Sequence, residues 1–173
     1  MSKLQRVTVL GGGSFGTAVA NMAAENGYPT LQWMRNEAQA QEINRIKENT
    51  RYMPGYHLSE NHQATTDFES ALSTSQLIFV SIPSKSFREV VREAKPYIQP
   101  GTIMVSTTKG IESDGFKLMS QVLREEVPHA KIGVLSGPNL AKEIALHQLT
   151  ATVIASSDEE VRDLVQVALG SGY

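Results

Sequence analysis

Val7-Thr8-Val9-Leu10-Gly11-Gly12-Gly13-Ser14-Phe15-Gly16 is the stretch whose reading decides the fold. Its first four residues are aliphatic or β-branched, the composition of a strand buried on both faces. Directly after them, Gly11, Gly13 and Gly16 supply G-x-G-x-x-G. The first glycine permits a tight turn, the second lets backbone approach a pyrophosphate, and the third allows close packing of helix on strand. A helix opening at Phe15 points its free N–H groups at the same place. The segment therefore reads as the phosphate-binding turn of a Rossmann-type dinucleotide domain.

The same residues also spell G-x-S-x-G over Gly12 to Gly16, the elbow that presents a serine nucleophile in hydrolases. That chemistry needs an oxyanion-hole loop from an earlier strand, and none precedes Val7 in the sequence pattern. Ser14 is accordingly read as a phosphate-contacting residue or a helix N-cap.

Outward from the turn, short β-branched runs alternate with longer amphipathic stretches, the pattern of βαβ units around a mostly parallel sheet. Strands are expected at Val7–Leu10, Thr30–Met34, Leu77–Ile82, Thr102–Ser106, Ile132–Ser136 and Thr150–Ala155. Those at Val7, Leu77, Ile132 and Thr150 are nearly continuous apolar runs, as for strands covered on both faces. Helices are expected from Phe15 to Asn26, with Gly27 as the residue past the end, and from Asn36, which makes a capping box with Gln39. Further helices span Lys85 to Ala94, Phe116 to Val127, and a segment opening at Ser157, paired with Glu160. The expectation is an α/β, doubly wound, mostly parallel sheet in one domain over residues 1–173. Gly170-Ser171-Gly172-Tyr173 follows a helix where such folds normally continue, so the chain reads as stopping short.

Composition removes several function classes. The formal net charge is −2 with both signs mixed, which argues against a nucleic-acid partner, since that requires a basic face. An anionic ligand must then be held by a few local cations and backbone N–H groups. With no cysteine, disulfide scaffolds, thiolate zinc sites and cysteine catalysis are excluded. No apolar run suits a signal segment or membrane insertion, so a cytoplasmic location is expected. His57 and His62 fall in an expected loop without metal-ligand spacing, His129 and His147 fall near element ends, and no metal is expected. Asp158, Glu159 and Glu160 suit a helix first turn, where acids meet the positive end of the dipole.

The ribose contact of NAD is normally an acid at the end of the second strand, about 20 residues past the glycines. Here that place reads Leu31-Gln32-Trp33-Met34-Arg35-Asn36, with no acid. Arg35 suits the 2′-phosphate of NADP, so the expected cofactor is NADP or NAD with NADPH favoured. Lys109, past the strand Thr102–Ser106, falls at the carboxyl edge of the sheet, where open α/β folds bind ligands. An ammonium there is placed to stabilise charge developing on a carbonyl oxygen.

Beyond the turn, Glu48-Asn49-Thr50-Arg51-Tyr52-Met53-Pro54-Gly55, Ile82-Pro83-Ser84, Thr108-Lys109-Gly110-Ile111-Glu112 and Ser136-Gly137-Pro138-Asn139-Leu140-Ala141-Lys142-Glu143 follow in order. Together with Gly11–Thr17 these segments resemble the N-terminal half of bacterial NAD(P)-dependent glycerol-3-phosphate dehydrogenase. The resemblance implies hydride transfer between dihydroxyacetone phosphate and glycerol 3-phosphate, supplying phospholipid synthesis. It places cofactor contacts on Ser14, Phe15, Arg35, Tyr52, Lys109 and Ala141, beside the turn glycines Gly11, Gly13 and Gly16. Substrate contacts fall on Lys109, Gly137 and Asn139; the family usually has Ser or Thr at the last, and an amide can also donate to a phosphate or hydroxyl. From the pattern alone, Asn139 caps a helix running through Glu143. The family's general base is a lysine in an all-helical C-terminal domain absent from this chain, and a homodimer is expected only of the full-length protein. Two other readings stay open: a different two-domain dehydrogenase, acting on a hydroxy acid or nucleotide sugar, and a non-catalytic nucleotide-sensing module.

The Arg35 reading has a direct check by calorimetric titration. Arg35→Ala should weaken NADPH by about 10- to 100-fold, the loss of a charge-assisted hydrogen bond, and leave NADH unchanged; equal loss for both removes the NADP argument.

Overall fold

The computed structural model describes residues 4–170. Strands β1 (Val7–Leu10), β2 (Thr30–Trp33), β3 (His62–Thr65), β4 (Leu77–Val80), β5 (Ile103–Ser106), β6 (Lys131–Ser136) and β7 (Val153–Ala155) form one sheet. Their order is β3-β2-β1-β4-β5-β6-β7. The first six are parallel and β7 runs antiparallel to β6, with Leu135 opposite Ile154. The order reverses between β1 and β4, and that switch point opens a crevice at the carboxyl ends of the strands.

Alternation along the central strands divides the core into two layers. Val7, Val9, Leu77, Phe79, Ile103 and Val105 face helices α1 (Ser14–Glu25) and α7 (Glu159–Leu169), which add Val19, Ala20, Ala23, Val161, Val165 and Ala168. Leu10, Ile78, Val80 and Met104 face the other way. There they meet α3 (Phe68–Leu72), α4 (Ser84–Ala94) and α5 (Met119–Glu126), with Phe87, Val90 and Leu123 prominent. A smaller cluster, including Met34, Ile43 and Leu58, lies under α2 (Glu37–Ile46).

Helix ends follow local chemistry where the sequence supplies it. The Asn36 side chain accepts from the Gln39 N–H at the start of α2, and Gly27 takes a positive φ of 87° after α1. The last helix is capped by Asp158, which accepts from the Glu160 N–H, and not by Ser157. The expected helix from Phe116 begins only at Met119. Phe116 has φ 51° and is 77% exposed, within a turn closed by the Glu112 N–H donating to the Lys117 carbonyl. Strand β7 is an exposed edge and is not covered on both faces; Val153 is 62% exposed. β3 and α3 have no counterpart among the expected elements, and His62 lies fully buried in β3, not in a loop.

The glycines of the turn divide by cause. A Cβ on Gly11, where φ is 125°, would overlap the Ser81 carbonyl oxygen, and one on Gly16 would stand 2.5 Å from the Gly11 oxygen. Both are demanded by the packing of β1, α1 and the end of β4. Gly16→Ala should therefore lower the free energy of unfolding by about 1–3 kcal/mol, the usual cost of overpacking, measured by urea denaturation; an unchanged midpoint would show that the helix can back away freely.

Candidate functional site

A cleft of roughly 740 Å³ lies along the switch point. Gly11 to Gly16 form its floor, Arg35 and Tyr52 one wall, and Lys109, Asn139 and Ala141 the other. Of the residues singled out in the sequence, Gly11, Gly13, Ser14, Phe15, Gly16, Arg35, Tyr52, Lys109, Asn139 and Ala141 thus border one space. Gly137 does not line it: with φ 149°, a Cβ there would overlap the Ala151 carbonyl oxygen, so the glycine serves the close return of the chain into β7.

The floor has the properties of an anion cradle. A Cβ on Gly13 would meet no protein atom within 4 Å among the described residues, so no protein contact requires glycine there, whereas a group lying on the backbone would. Gly13 is the N-cap of α1 and provides no side-chain cap. The Thr17 N–H closes the first intrahelical bond, to the Gly13 carbonyl, which leaves the N–H groups of Ser14, Phe15 and Gly16 for an external acceptor. Ser14 is the first helical residue, not the cap, and its hydroxyl donates to the Tyr52 carbonyl at 2.9 Å. That bond tethers the 50–53 loop across the mouth and occupies the hydroxyl, against the nucleophile reading.

Three cations border the cleft. Arg35 follows β2 and is half-exposed, with Glu89 at 3.6 Å as a loose surface partner. Arg51 lies 5.2 Å from the centre of the Tyr52 ring, a cation–π distance, and sequence reasoning passed over it because only Tyr52 was singled out in that loop. Lys109 is exposed and has no ion-pair partner among the described residues.

Lys109 is held from both sides. The Thr108 hydroxyl donates to the Ile82 carbonyl at 2.7 Å, and Thr107 shares a 2.5 Å hydroxyl contact with Ser81, fixing the loop to β4. Beyond the lysine, Glu112 receives a two-point bond from Arg88 of α4, at 2.6 and 2.8 Å. Arg88 also reaches Glu125 and Glu126 of α5 at 2.8 and 2.7 Å, and Arg92 joins at Glu126. The arginines raise no proton question of their own: Arg88 is pushed further up by Glu112 and Glu126. The carboxylates move the other way, with Glu126 drawn down to about 2 by its bond to Arg92 foremost, against the opposing effect of burial.

Asn139 is buried and its amide nitrogen donates to the Thr152 hydroxyl at 2.9 Å. Its carbonyl oxygen has no partner among the described residues. The helix it was expected to cap, α6 (Ala141–Ala145), instead has Leu140 at its N-cap. With one amide N–H committed to Thr152, the side chain keeps its second N–H and its carbonyl oxygen for other partners. Among the described residues no group of His, Asp or Glu is arranged to hold a metal ion, and no helix is long and apolar enough to cross a membrane.

Strand order, glycine turn and switch-point cleft together define a doubly wound domain of the dinucleotide-binding class. Residues 6–162 match the family model described as NAD-dependent glycerol-3-phosphate dehydrogenase N-terminus, and the chain belongs to that family. It is 53% identical over 171 residues to glycerol-3-phosphate dehydrogenase [NAD(P)+] of Saccharophagus degradans, covering 99% of this chain and 48% of the relative. The corresponding protein of Pseudomonas syringae pv. tomato is 54% identical, at 98% and 49% coverage. The crystal structure of glycerol-3-phosphate dehydrogenase from Coxiella burnetii superposes with a TM-score of 0.92 at 30% identity, over 97% of this chain and 51% of that one. The chain spans about half the length of the curated relatives it matches.

The carboxylate network sets an acid limit on the fold. A carboxyl held below its unfolded value stabilises fully above that value, 4.5 for Glu126, and the contribution is lost as pH falls through the folded value near 2. Urea midpoints should therefore drop between pH about 5 and about 2, and Glu126→Gln should flatten that slope while lowering the neutral-pH midpoint; parallel curves would remove Glu126 from the account.

Proposed function

We propose that this chain is the cofactor-binding part of a dehydrogenase that interconverts dihydroxyacetone phosphate and glycerol 3-phosphate with NAD(P)H. The observation that carries the reading is the coincidence, on one cleft, of an uncapped helix start over Gly13 with Lys109 and Asn139 on the opposite wall. Family membership supplies the reaction; the residues supply the division of labour.

In this reading Gly11 to Gly16 hold the pyrophosphate, Ser14 and Phe15 through N–H groups of the first helical turn. Arg35 takes the 2′-phosphate and favours NADPH, Tyr52 with Arg51 covers the adenosine end, and Ala141 borders the nicotinamide end. The bound cofactor supplies or accepts the hydride. Lys109 orients the substrate and lowers the energy of negative charge on the carbonyl oxygen as hydride arrives. Asn139 contacts the substrate or the carboxamide through its unpartnered oxygen and its second amide N–H. Gly137, which does not line the cleft, is given no contact in this reading; its conformation answers to the Ala151 carbonyl.

Nothing among the described residues in the cleft is a convincing general base: the cleft histidines are absent and Lys109 is assigned to the substrate. In this reading residues 1–173 act as the cofactor-binding domain of a cytoplasmic enzyme, and a homodimer is proposed only for its full-length form.

The test is a pair of measurements on this chain. It should bind NADPH and NADH in calorimetry yet oxidise glycerol 3-phosphate at less than about a thousandth of an intact enzyme's rate, the scale on which a missing acid–base group acts. A rate near that of an intact enzyme would overturn the division of labour, and absence of dinucleotide binding would overturn the reading altogether.

A further inference from the structure

Against the glycine turn, three buried or half-buried amide side chains meet two backbone carbonyls and a buried imidazole backs one of the amides; of these four residues Gln39 also lines the cleft. The Gln32 amide nitrogen donates to the Gly11 carbonyl at 2.7 Å and to the Thr17 hydroxyl oxygen at 3.1 Å. The Gln39 nitrogen donates to the Gly12 carbonyl at 2.7 Å, and the Asn49 nitrogen reaches the same carbonyl at 3.1 Å and Thr17 at 2.8 Å. Gln32, Asn49, Thr17 and His62 are all fully buried. Two strands, two helices and the loop after α2 thus contribute polar side chains to one cluster.

We infer that His62, Gln32, Gln39 and Asn49 are positioning residues for the pyrophosphate, acting through the Gly11 and Gly12 peptide planes. In a trans peptide the carbonyl and the following N–H point in opposite directions, and the described residues contain no cis bond. Holding the Gly11 and Gly12 oxygens inward turns the N–H groups of Gly12 and Gly13 outward. Neither N–H has a protein acceptor among the described residues, and both residues line the cleft. Glycine has the widest choice of backbone conformation, so three in succession would otherwise let these planes rotate.

The relay also dictates a tautomer. Both acceptors on one side of Gln32 require its NH₂ there, so its oxygen faces His62, whose Nε2 lies 2.9 Å away and must donate. Nδ1 is then a bare, buried lone pair, in agreement with its having no partner. Burial, with Lys47 nearby, pushes the ring down to about 3, so it stays neutral. A neutral Nε2–H imidazole locks the Gln32 amide against the flip that would set oxygen against the Gly11 oxygen.

This inference rests on the proposed function, and the test separates the two. Ring-nitrogen NMR of the wild-type chain should show His62 as the Nε2–H tautomer without titration between pH about 5 and 8. Gln39→Met and Gln32→Met should each weaken NADH and NADPH alike by about tenfold, the share of one hydrogen bond. Binding of 2′-AMP, which lacks the pyrophosphate, should stay unchanged. Gln39 lies at the edge of the relay, so its variant reports even where Gln32→Met fails to fold. A titrating or Nδ1–H ring, unchanged dinucleotide affinity in Gln39→Met, or equal loss for 2′-AMP would overturn the relay. Wild-type chain that bound neither dinucleotide would instead overturn the reading of the cleft, and the relay's purpose with it.

Discussion

The constraint on which the rest of the structure depends is the close approach of three backbones at the end of β1. Gly11 lies against the Ser81 carbonyl, and Gly16 lies against the Gly11 carbonyl. No side chain fits between β1, α1 and the exit of β4, so the helix start is brought onto the carboxyl edge of the sheet. From that single contact follow the aim of the α1 N–H groups, the position of Ser81 against Thr107, and the width of the cleft. Gly13 is the exception that points to a ligand, because no protein atom crowds its missing side chain.

A second level of order holds the opposite wall. Lys109 is one exposed side chain on a loop, and an isolated lysine there would sample many positions. Thr107 and Thr108 tie the loop to β4, while Glu112 is gripped by Arg88. Surface ion pairs are individually worth little. This one differs because the Arg88 and Glu126 side chains are only 23% and 10% exposed and share partners on two helices, so ordering one side chain serves several bonds. The ions are best understood as fixing a loop and a helix pair, with their contribution to stability secondary.

Legibility in the sequence tracked how local the deciding interaction was. The turn at Gly11 to Gly16, the Asn36 cap and the alternating βα order were readable because each is settled within a few residues. β3 was not, because His62-Gln63-Ala64-Thr65 carries no apolar run and is a strand only through its register with Thr30 to Trp33. The same blindness made His62 a loop histidine, although Gln32 draws it into the sheet from 30 residues away. Asn139 lines the cleft, but the direction of its amide depends on Thr152 across the β6–β7 return, which no local pattern shows. Phe116 looked helical by pattern; the ring closed between Glu112 and Lys117 leaves the start of α5 to Met119.

The net charge of −2 and the cationic cleft are compatible because they act over different distances. At physiological ionic strength the field of a surface charge fades over about 8 Å, so the overall balance hardly influences a ligand already in contact. What matters is that Arg35, Arg51 and Lys109 stand around one cleft, at its wall and far side, with none on its floor. The floor offers only backbone N–H groups, whose partial charges are small but rigidly directed. Such an arrangement discriminates by geometry at the centre and by charge at the periphery.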